Sequence, residues 1–163
     1  MQHRTLLLFC SLMLVACSQQ PAQLVLTAQS YGDVQFGTPL EEIETKLQQL
    51  AEPKIPAESC SYVTFANYAD IRFMVEDGVV TRADAGESIA NETGFSAGTN
   101  SADLLKANPQ MKITPHKYEP ESRYLILATP DGNNALVFEE SGGLITKVRA
   151  GTEPAVEYVE GCG

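Results

Sequence analysis

Ser96 is the serine whose neighbours best fit a nucleophile. Residues 94–98 read Gly-Phe-Ser-Ala-Gly, a spacing that presents a catalytic serine on a strained turn between a buried strand and a helix. His116 and Asp103 are the candidate triad partners, in the chain order Ser, Asp, His. However, the preceding residues 86–93 are too polar for a buried strand, so we prefer a loop and keep a hydrolase using Ser96 as a second hypothesis.

Metal and acid–base chemistry have weaker signals. His116 is the only histidine besides His3, whereas a zinc site needs three or four ligands, so we expect a surface or hydrogen-bonding histidine. Residues 131–134 read Asp-Gly-Asn-Asn and lack the spacing of a calcium loop, which predicts a turn. The adjacent glutamates at 41–42 and 139–140 would diverge, whereas acid–base catalysis needs convergence, so we interpret them as solvated faces. The sequence therefore predicts no catalytic residues, no cofactor and no metal.

The N-terminus carries a targeting segment that ends at Cys17. Basic Arg4 precedes an apolar run, residues 6–16, that is too short to span a bilayer about 30 Å thick. The run ends in Leu-Val-Ala-Cys, which resembles the lipobox of bacterial lipoprotein signal peptides. The resemblance implies cleavage before Cys17 and acylation of that residue, and several acyl chains anchor stably because each buried methylene adds roughly 0.8 kcal/mol.

The alternative is an ordinary secretory signal with a chance cysteine. The polar residues 18–23 that follow favour a tether. In the lipoprotein family an aspartate after the cysteine retains the protein in the inner membrane, so Ser18 implies delivery to the outer membrane, with the domain facing either the periplasm or the exterior. We thus expect residues 1–16 to be a signal peptide, residues 17–30 a lipidated tether, and lipid on Cys17 the membrane attachment.

Composition and cysteine count describe the remainder. The chain has 11 Lys+Arg against 21 Asp+Glu, a formal charge of −10, which repels phosphate backbones and disfavours nucleic acid as a partner.

With Cys10 lost in the signal and Cys17 acylated, Cys60 and Cys162 are left. In an oxidising compartment two such cysteines are expected to form a disulfide. No Cys-x-x-Cys motif supports the alternative, a redox or metal pair.

Two similar units are predicted from the order of elements, repeat 1 over residues 31–90 and repeat 2 over residues 91–163. In repeat 1, Thr38 and Glu41 fit a capping box. They precede an amphipathic helix that is followed by strands and a hairpin turn at 76–78. The apolar positions assigned to this helix are Leu40, Ile43, Leu47 and Leu50.

Repeat 2 follows the same plan. Gly98-Thr99 stands 61 residues after Gly37-Thr38, Asn100 or Ser101 can cap a short helix, and a second hairpin turns at 141–143. The tail, residues 156–162, alternates and predicts a last strand. The fold class predicted is α+β, with two tandem helix-plus-β-hairpin repeats that form one antiparallel sheet and helices packed on one face.

The Gly-Thr openings, capped helices and hairpins resemble the β-lactamase-inhibitor-protein-like fold, which small outer-membrane lipoproteins of the barrel-assembly machinery share in part. The resemblance covers about residues 31–151. It implies a fold and a habit of binding proteins, but it transfers no functional residues.

We therefore expect a non-enzymatic envelope lipoprotein that binds another envelope protein. One alternative is an inhibitor of a secreted or periplasmic hydrolase, lysozyme-like or β-lactamase-like, since an acidic surface suits a basic enzyme. Another is binding of a small ligand or glycan. The binding residues are not identified by the sequence, although the sheet could expose an aromatic contact patch. Its candidates are Tyr62, Phe65, Tyr68, Phe73, Tyr118, Tyr124 and Tyr158.

Overall fold

A computed structural model describes residues 24–56 and 59–162. These contain two short helices, α1 (Leu40–Leu47) and α2 (Ser101–Ala107), and one 3₁₀ turn (Ala155–Glu157). No helix in this part of the chain has the length and apolarity needed to cross a membrane. The ten strands are β1 (Ser30–Tyr31), β2 (Val34–Gln35), β3 (Thr38–Pro39), β4 (Cys60–Val63), β5 (Ile71–Glu76), β6 (Val79–Ala85), β7 (Lys112–Pro115), β8 (Arg123–Ala128), β9 (Asn134–Ser141) and β10 (Leu144–Thr152).

Eight of these strands form one antiparallel sheet in the order β4-β5-β6-β10-β9-β8-β7, with β3 also paired to β6. β3 borders the first residues of β6, and β10 borders the rest of it. In the β6–β10 pair, Ala83 lies opposite Ala150 and Ala85 opposite Val148. Gly151 lies opposite Arg82, and a Cβ on Gly151 would be 2.8 Å from the Arg82 Cα, so only glycine allows this close approach.

The predicted α+β class is wrong. Of the described residues 40% lie in strands and 13% in helices, and the molecule is a large antiparallel sheet with two short helices, not helix-plus-hairpin repeats. The predicted capping box is also wrong, since α1 begins after Pro39 with no side-chain cap. Leu50, assigned to the helix stripe, lies beyond the helix and is 71% exposed. The prediction overstated the helical content because it assigned short apolar stripes and loop residues to helices.

Several local predictions are confirmed. The turns at 76–78 and 141–143 connect β5 to β6 and β9 to β10. The Asn100 side chain accepts a hydrogen bond from the Ala102 N–H and caps α2. The turn at 131–134 is closed by Asp131, which accepts hydrogen bonds from Thr129 and Asn133. Each signal depends on residues close in sequence, which explains why it survives the error in fold class.

The sheet separates an apolar face from a polar face. The main core lies on one face, where Ile43 of α1 and Leu104 of α2 pack with the inward side chains of the sheet. Because strand side chains alternate between faces, the intervening residues point the other way. The core residues of the central strands are Phe73, Val75, Ala83, Leu125, Leu136, Phe138, Val148 and Ala150.

The C-terminal segment crosses the polar face. We call this segment, residues 153–162, the strap, and the polar face the strap face. The strap holds the 3₁₀ turn and no strand, so the predicted last strand is wrong. Val156 packs with a small second core that includes Tyr124 and Val137. The Cys60–Cys162 disulfide is present, which confirms the predicted pairing and ties the strap to β4.

Candidate functional site

Two buried arginines hold the strap on the sheet. Arg82, on β6, donates from Nη1 to the Tyr158 carbonyl at 2.6 Å. Arg149, on β10, donates from Nε to the Val156 carbonyl at 2.7 Å. Both side chains are about 95% buried, so their hydrogen bonds replace the water that charged groups otherwise need.

A carboxylate partners each arginine. Asp84 Oδ1 lies 2.6 Å from Arg82 Nε, and its Oδ2 lies 3.3 Å from Arg72 Nη2. Glu139 Oε1 accepts from Arg149 Nη1 at 2.6 Å, while Lys147 lies 3.1 Å from Oε2. The charges are thus paired beneath the strap, as buried ions must be.

The prediction of solvated faces fails at the second acidic pair. Glu139 and Glu140 are 9% and 3% exposed, and Glu140 Oε2 lies 2.7 Å from Arg123 Nε. That Arg123 contact is the main reason why the pKa of Glu140 lies below its usual value. At 41–42 the prediction is confirmed, since both glutamates are exposed.

An open cavity of about 510 Å³ lies on one side of the strap. Its wall includes Tyr62 of β4, whose ring lies 4.2 Å from the guanidinium carbon of Arg72. The Arg72 side chain is 58% exposed, so it can meet a partner while it stacks on the ring. Burial is the main reason why the pKa of Tyr62 is raised, with the Asp84 charge adding to it.

A second cavity, of about 540 Å³, adjoins the first and shares Lys147 and Glu160 with it. Its aromatic wall holds His116, which stacks on Tyr124 with ring centres 4.7 Å apart, and Tyr118, which is 61% exposed. We call the two cavities together the strap groove. It combines aromatic rings with paired charges and is open to solvent.

Glu160 ties the strap to the loop between β7 and β8. Its Oε1 lies 2.6 Å from Lys117 Nζ and also accepts from the Tyr118 hydroxyl. The hydrogen bond from Lys117, followed by that from Tyr118, lowers the pKa of Glu160 to about 2. The same contact raises the pKa of Lys117. The carboxylate is therefore ionised at neutral pH.

No protein-family model, no curated protein and no solved structure matches the chain. The strap groove is therefore interpreted from its own residues.

The candidate triad is not assembled. Ser96 lies in the loop before α2 and lines a small cavity together with residues 87–91 and Gly94. His116 lies in the strap groove against Tyr124, and Asp103 lies on α2. Ser96 and His116 thus line different cavities. In the same part of the chain, no group of three His, Cys, Asp or Glu side chains could hold a metal ion.

The predicted aromatic patch is divided between the two faces. Phe65, Tyr68 and Phe73 are buried in the main core, whereas the other four candidates lie on the strap side. Sequence reasoning missed the buried arginines and the strap. Arg82 and Asp84 occupy alternate positions on β6, a signal that could have indicated a charged face of the sheet. The apolar residues of the tail could have indicated the segment that covers this face. Cys17 and the predicted signal peptide lie outside the described residues.

Proposed function

We propose that the chain is a non-enzymatic lipoprotein of the bacterial outer membrane, anchored by lipid on Cys17, and that its strap groove binds another envelope protein. Leu-Val-Ala-Cys at 14–17 supports the anchor. The Cys60–Cys162 disulfide supports an oxidising compartment, because structural disulfides persist there and are rare in the cytosol.

One observation carries the binding proposal: the strap groove displays an arginine and tyrosines that are not used up in the core. Arg72 and Tyr118 are more than half exposed, and Tyr158 on the strap is 40% exposed. Arginine and tyrosine are enriched among residues that dominate binding energy, because they combine contact area with hydrogen-bonding groups. Arg72 and Tyr118 line the two adjoining cavities of the groove, and this arrangement fits a protein contact better than a solvated surface.

The surface below these side chains is fixed. The disulfide holds one end of the strap, and Arg82 and Arg149 hold its middle by hydrogen bonds to backbone carbonyls. A surface that is ordered before binding loses less conformational entropy on association. The groove can therefore bind a partner with little rearrangement.

In-cell photo-crosslinking of the lipidated protein tests the proposal. We expect a reproducible envelope partner that is captured less efficiently, by about tenfold, in Arg72→Ala and Tyr118→Ala variants. Ile113→Ala, an exposed change on edge strand β7, is the matched control and should retain capture. A Cys17→Ser form with an ordinary signal-peptidase site tests the contribution of the anchor. Capture that survives both groove variants would contradict the proposed binding site.

A second candidate, inhibition of a basic hydrolase, is favoured by Leu50. This side chain is 71% exposed and borders two shallow depressions together with Glu41 and Glu44. The loop that carries it is held by paired backbone hydrogen bonds between Glu52 and Thr64, of 2.9 and 2.7 Å. An exposed apolar side chain beside the glutamates of α1 suits the cleft of a basic enzyme.

Inhibition assays with a basic lysozyme test this candidate. We expect salt-sensitive inhibition that is lost in Leu50→Asp and retained in Arg72→Ala. Full hydrolase activity at high concentrations of the protein would rule out inhibition of that enzyme class.

A further inference from the structure

Arg72 is an exposed arginine of the strap groove with most of its hydrogen-bond donors still available. Its side chain is 58% exposed and lines the first cavity. Within the described residues its only ion pair is the contact of Nη2 with Asp84 Oδ2, at 3.3 Å. A guanidinium carries five N–H groups in one plane, so a single contact of this kind leaves most of them for a ligand.

Tyr62 fixes the orientation of this guanidinium. The guanidinium carbon of Arg72 lies 4.2 Å from the centre of the Tyr62 ring, which is a cation–π distance. A guanidinium that lies over a ring uses its flat face for that contact, so the N–H groups along its edge stay open to a planar acceptor. Because the side chain is positioned in advance, it loses less conformational entropy when a ligand binds.

The carboxylates beneath the strap are each shared between a buried and an exposed cation. Asp84 Oδ1 lies 2.6 Å from Arg82 Nε, a shorter distance than the 3.3 Å to Arg72. Glu139 Oε1 lies 2.6 Å from Arg149 Nη1, while its Oε2 lies 3.1 Å from Lys147. Since a buried charge needs a full partner, each carboxylate compensates its buried arginine first. The exposed cations, Arg72 and Lys147, are therefore only partly compensated.

The charge of the first cavity favours an anion. Four cations and four carboxylates line it, but the carboxylate of Glu160 is already paired with Lys117, which lies outside the lining. A second carboxylate, that of Asp70, accepts a hydrogen bond from the Ser88 hydroxyl at 2.9 Å. With Lys117 counted, five cations face four carboxylates, although the chain as a whole has a formal charge of −10. The cavity is thus a local exception to the acidic surface.

We propose that Arg72 binds the carboxylate of an aspartate or glutamate side chain that the partner protein inserts into the first cavity. The inference rests on the proposed protein-binding function and names the group that the strap groove recognises. The carboxylate accepts two N–H groups from the open edge of Arg72, the planar bidentate geometry for which arginine is suited. Lys147, whose side chain is 73% exposed and lines the same cavity, adds electrostatic attraction.

NMR titration of the lipidated protein in detergent, with Nα-acetyl-L-glutamate α-amide as the probe, tests the inference. We expect weak, salt-sensitive binding that shifts the Arg72 Nε–H and Tyr62 ring signals. Arg72→Gln should weaken binding about tenfold, because the charge-assisted hydrogen bonds are lost. Arg72→Lys keeps the charge but loses the planar fork, so it should weaken binding about fivefold. The matched control, Lys46→Gln, removes a cation of similar exposure, 57%, from α1 and should leave the affinity unchanged.

The neutral probe Nα-acetyl-L-glutamine amide measures selectivity on the wild-type protein, where misfolding of a variant cannot explain the result. Equal binding of the two probes would overturn the inference, and so would an unchanged affinity in Arg72→Gln. Tighter binding of inorganic phosphate than of the glutamate probe would overturn the assignment to a carboxylate. Absence of probe binding, with photo-crosslinking that still depends on Arg72, would reject the carboxylate site and leave the proposed function intact.

Discussion

Asp84 and Arg149 lie opposite each other where β6 pairs with β10, in the centre of the sheet. Opposite charges facing each other across strands are favourable. Each nevertheless forms its close ion pair with a different residue: Asp84 pairs with Arg82, and Arg149 pairs with Glu139. Two ion pairs therefore lie side by side under the strap, and each arginine is free to donate a further hydrogen bond to it.

Replacing Arg149 by methionine should destabilise the fold by about 3–5 kcal/mol, because Glu139 loses its buried partner and the Val156 carbonyl loses its donor. Urea denaturation would measure the loss. Lys147→Met is the control, because Lys147 contacts the same carboxylate from a side chain that is 73% exposed. This substitution should cost no more than about 1 kcal/mol. Equal losses in the two variants would contradict the assignment of Arg149 as the buried anchor.

The disulfide closes a separation of 102 residues. Replacing Cys60 and Cys162 together by serine should lower the free energy of unfolding by about 2–5 kcal/mol, because the unfolded chain regains the entropy of the open loop. Thermal unfolding with and without reductant checks this. The reductant should lower the melting temperature of the wild type and leave that of the double variant unchanged.

Protonation of Glu160 should loosen the strap at very low pH. Its pKa is lowered to about 2, first by the hydrogen bond from Lys117 and then by that from Tyr118. A carboxyl whose pKa is lower in the folded state stabilises the fold fully above its unfolded value of 4.5, and the contribution is lost as the pH falls through about 2.

Carbon NMR titration of the Glu160 carboxyl would measure this pKa directly. Lys117→Met should raise it towards 4.5, whereas Lys46→Met, which removes a lysine paired with Asp33, should leave it unchanged. A Glu160 pKa near 4.5 in the wild type would show that these contacts do not persist in solution.

Gly151→Ala should separate β6 from β10. The new methyl group would overlap the Thr81 carbonyl oxygen and lie 2.8 Å from the Arg82 Cα, so we expect a loss of about 1–3 kcal/mol with weakened protection of β6 amides in hydrogen exchange. Gly142→Ala is the comparison, since its φ is 59° but no atom lies within 4 Å of the new methyl. A similar loss of β6 protection there would contradict the close-approach explanation.

Local sequence features predicted local structure correctly. The hairpin turns, the Asn100 cap and the Cys60–Cys162 pair each follow from residue type and spacing. The fold class did not follow, because the short apolar stripe that ends at Leu50 could equally lie on a helix or in a loop beside a sheet. Here tertiary packing outweighs helix propensity.

The candidate site could not be predicted, because its chemistry depends on a segment distant in sequence. Glu139 and Arg149 sit at polar positions of their strands, and such positions usually indicate solvent. The strap covers them only after the last residues cross the sheet. In the pairing of β6 with β10, Ala83 lies opposite Ala150 and Ala85 opposite Val148. This register does not test the division into repeats 31–90 and 91–163, which stays a prediction.

The distance along the chain between Cys60 and Cys162 also sets an order of events during biosynthesis. At about 5–20 residues per second, a ribosome needs roughly 5–20 s to make the 102 residues between them. Throughout this interval Cys60 has no native partner, and the arginines below the strap have no carbonyls to bind. A premature stop codon at the start of the strap would leave nearly the whole sheet encoded. The released chain would nevertheless lack the strap and could not form the Cys60–Cys162 disulfide.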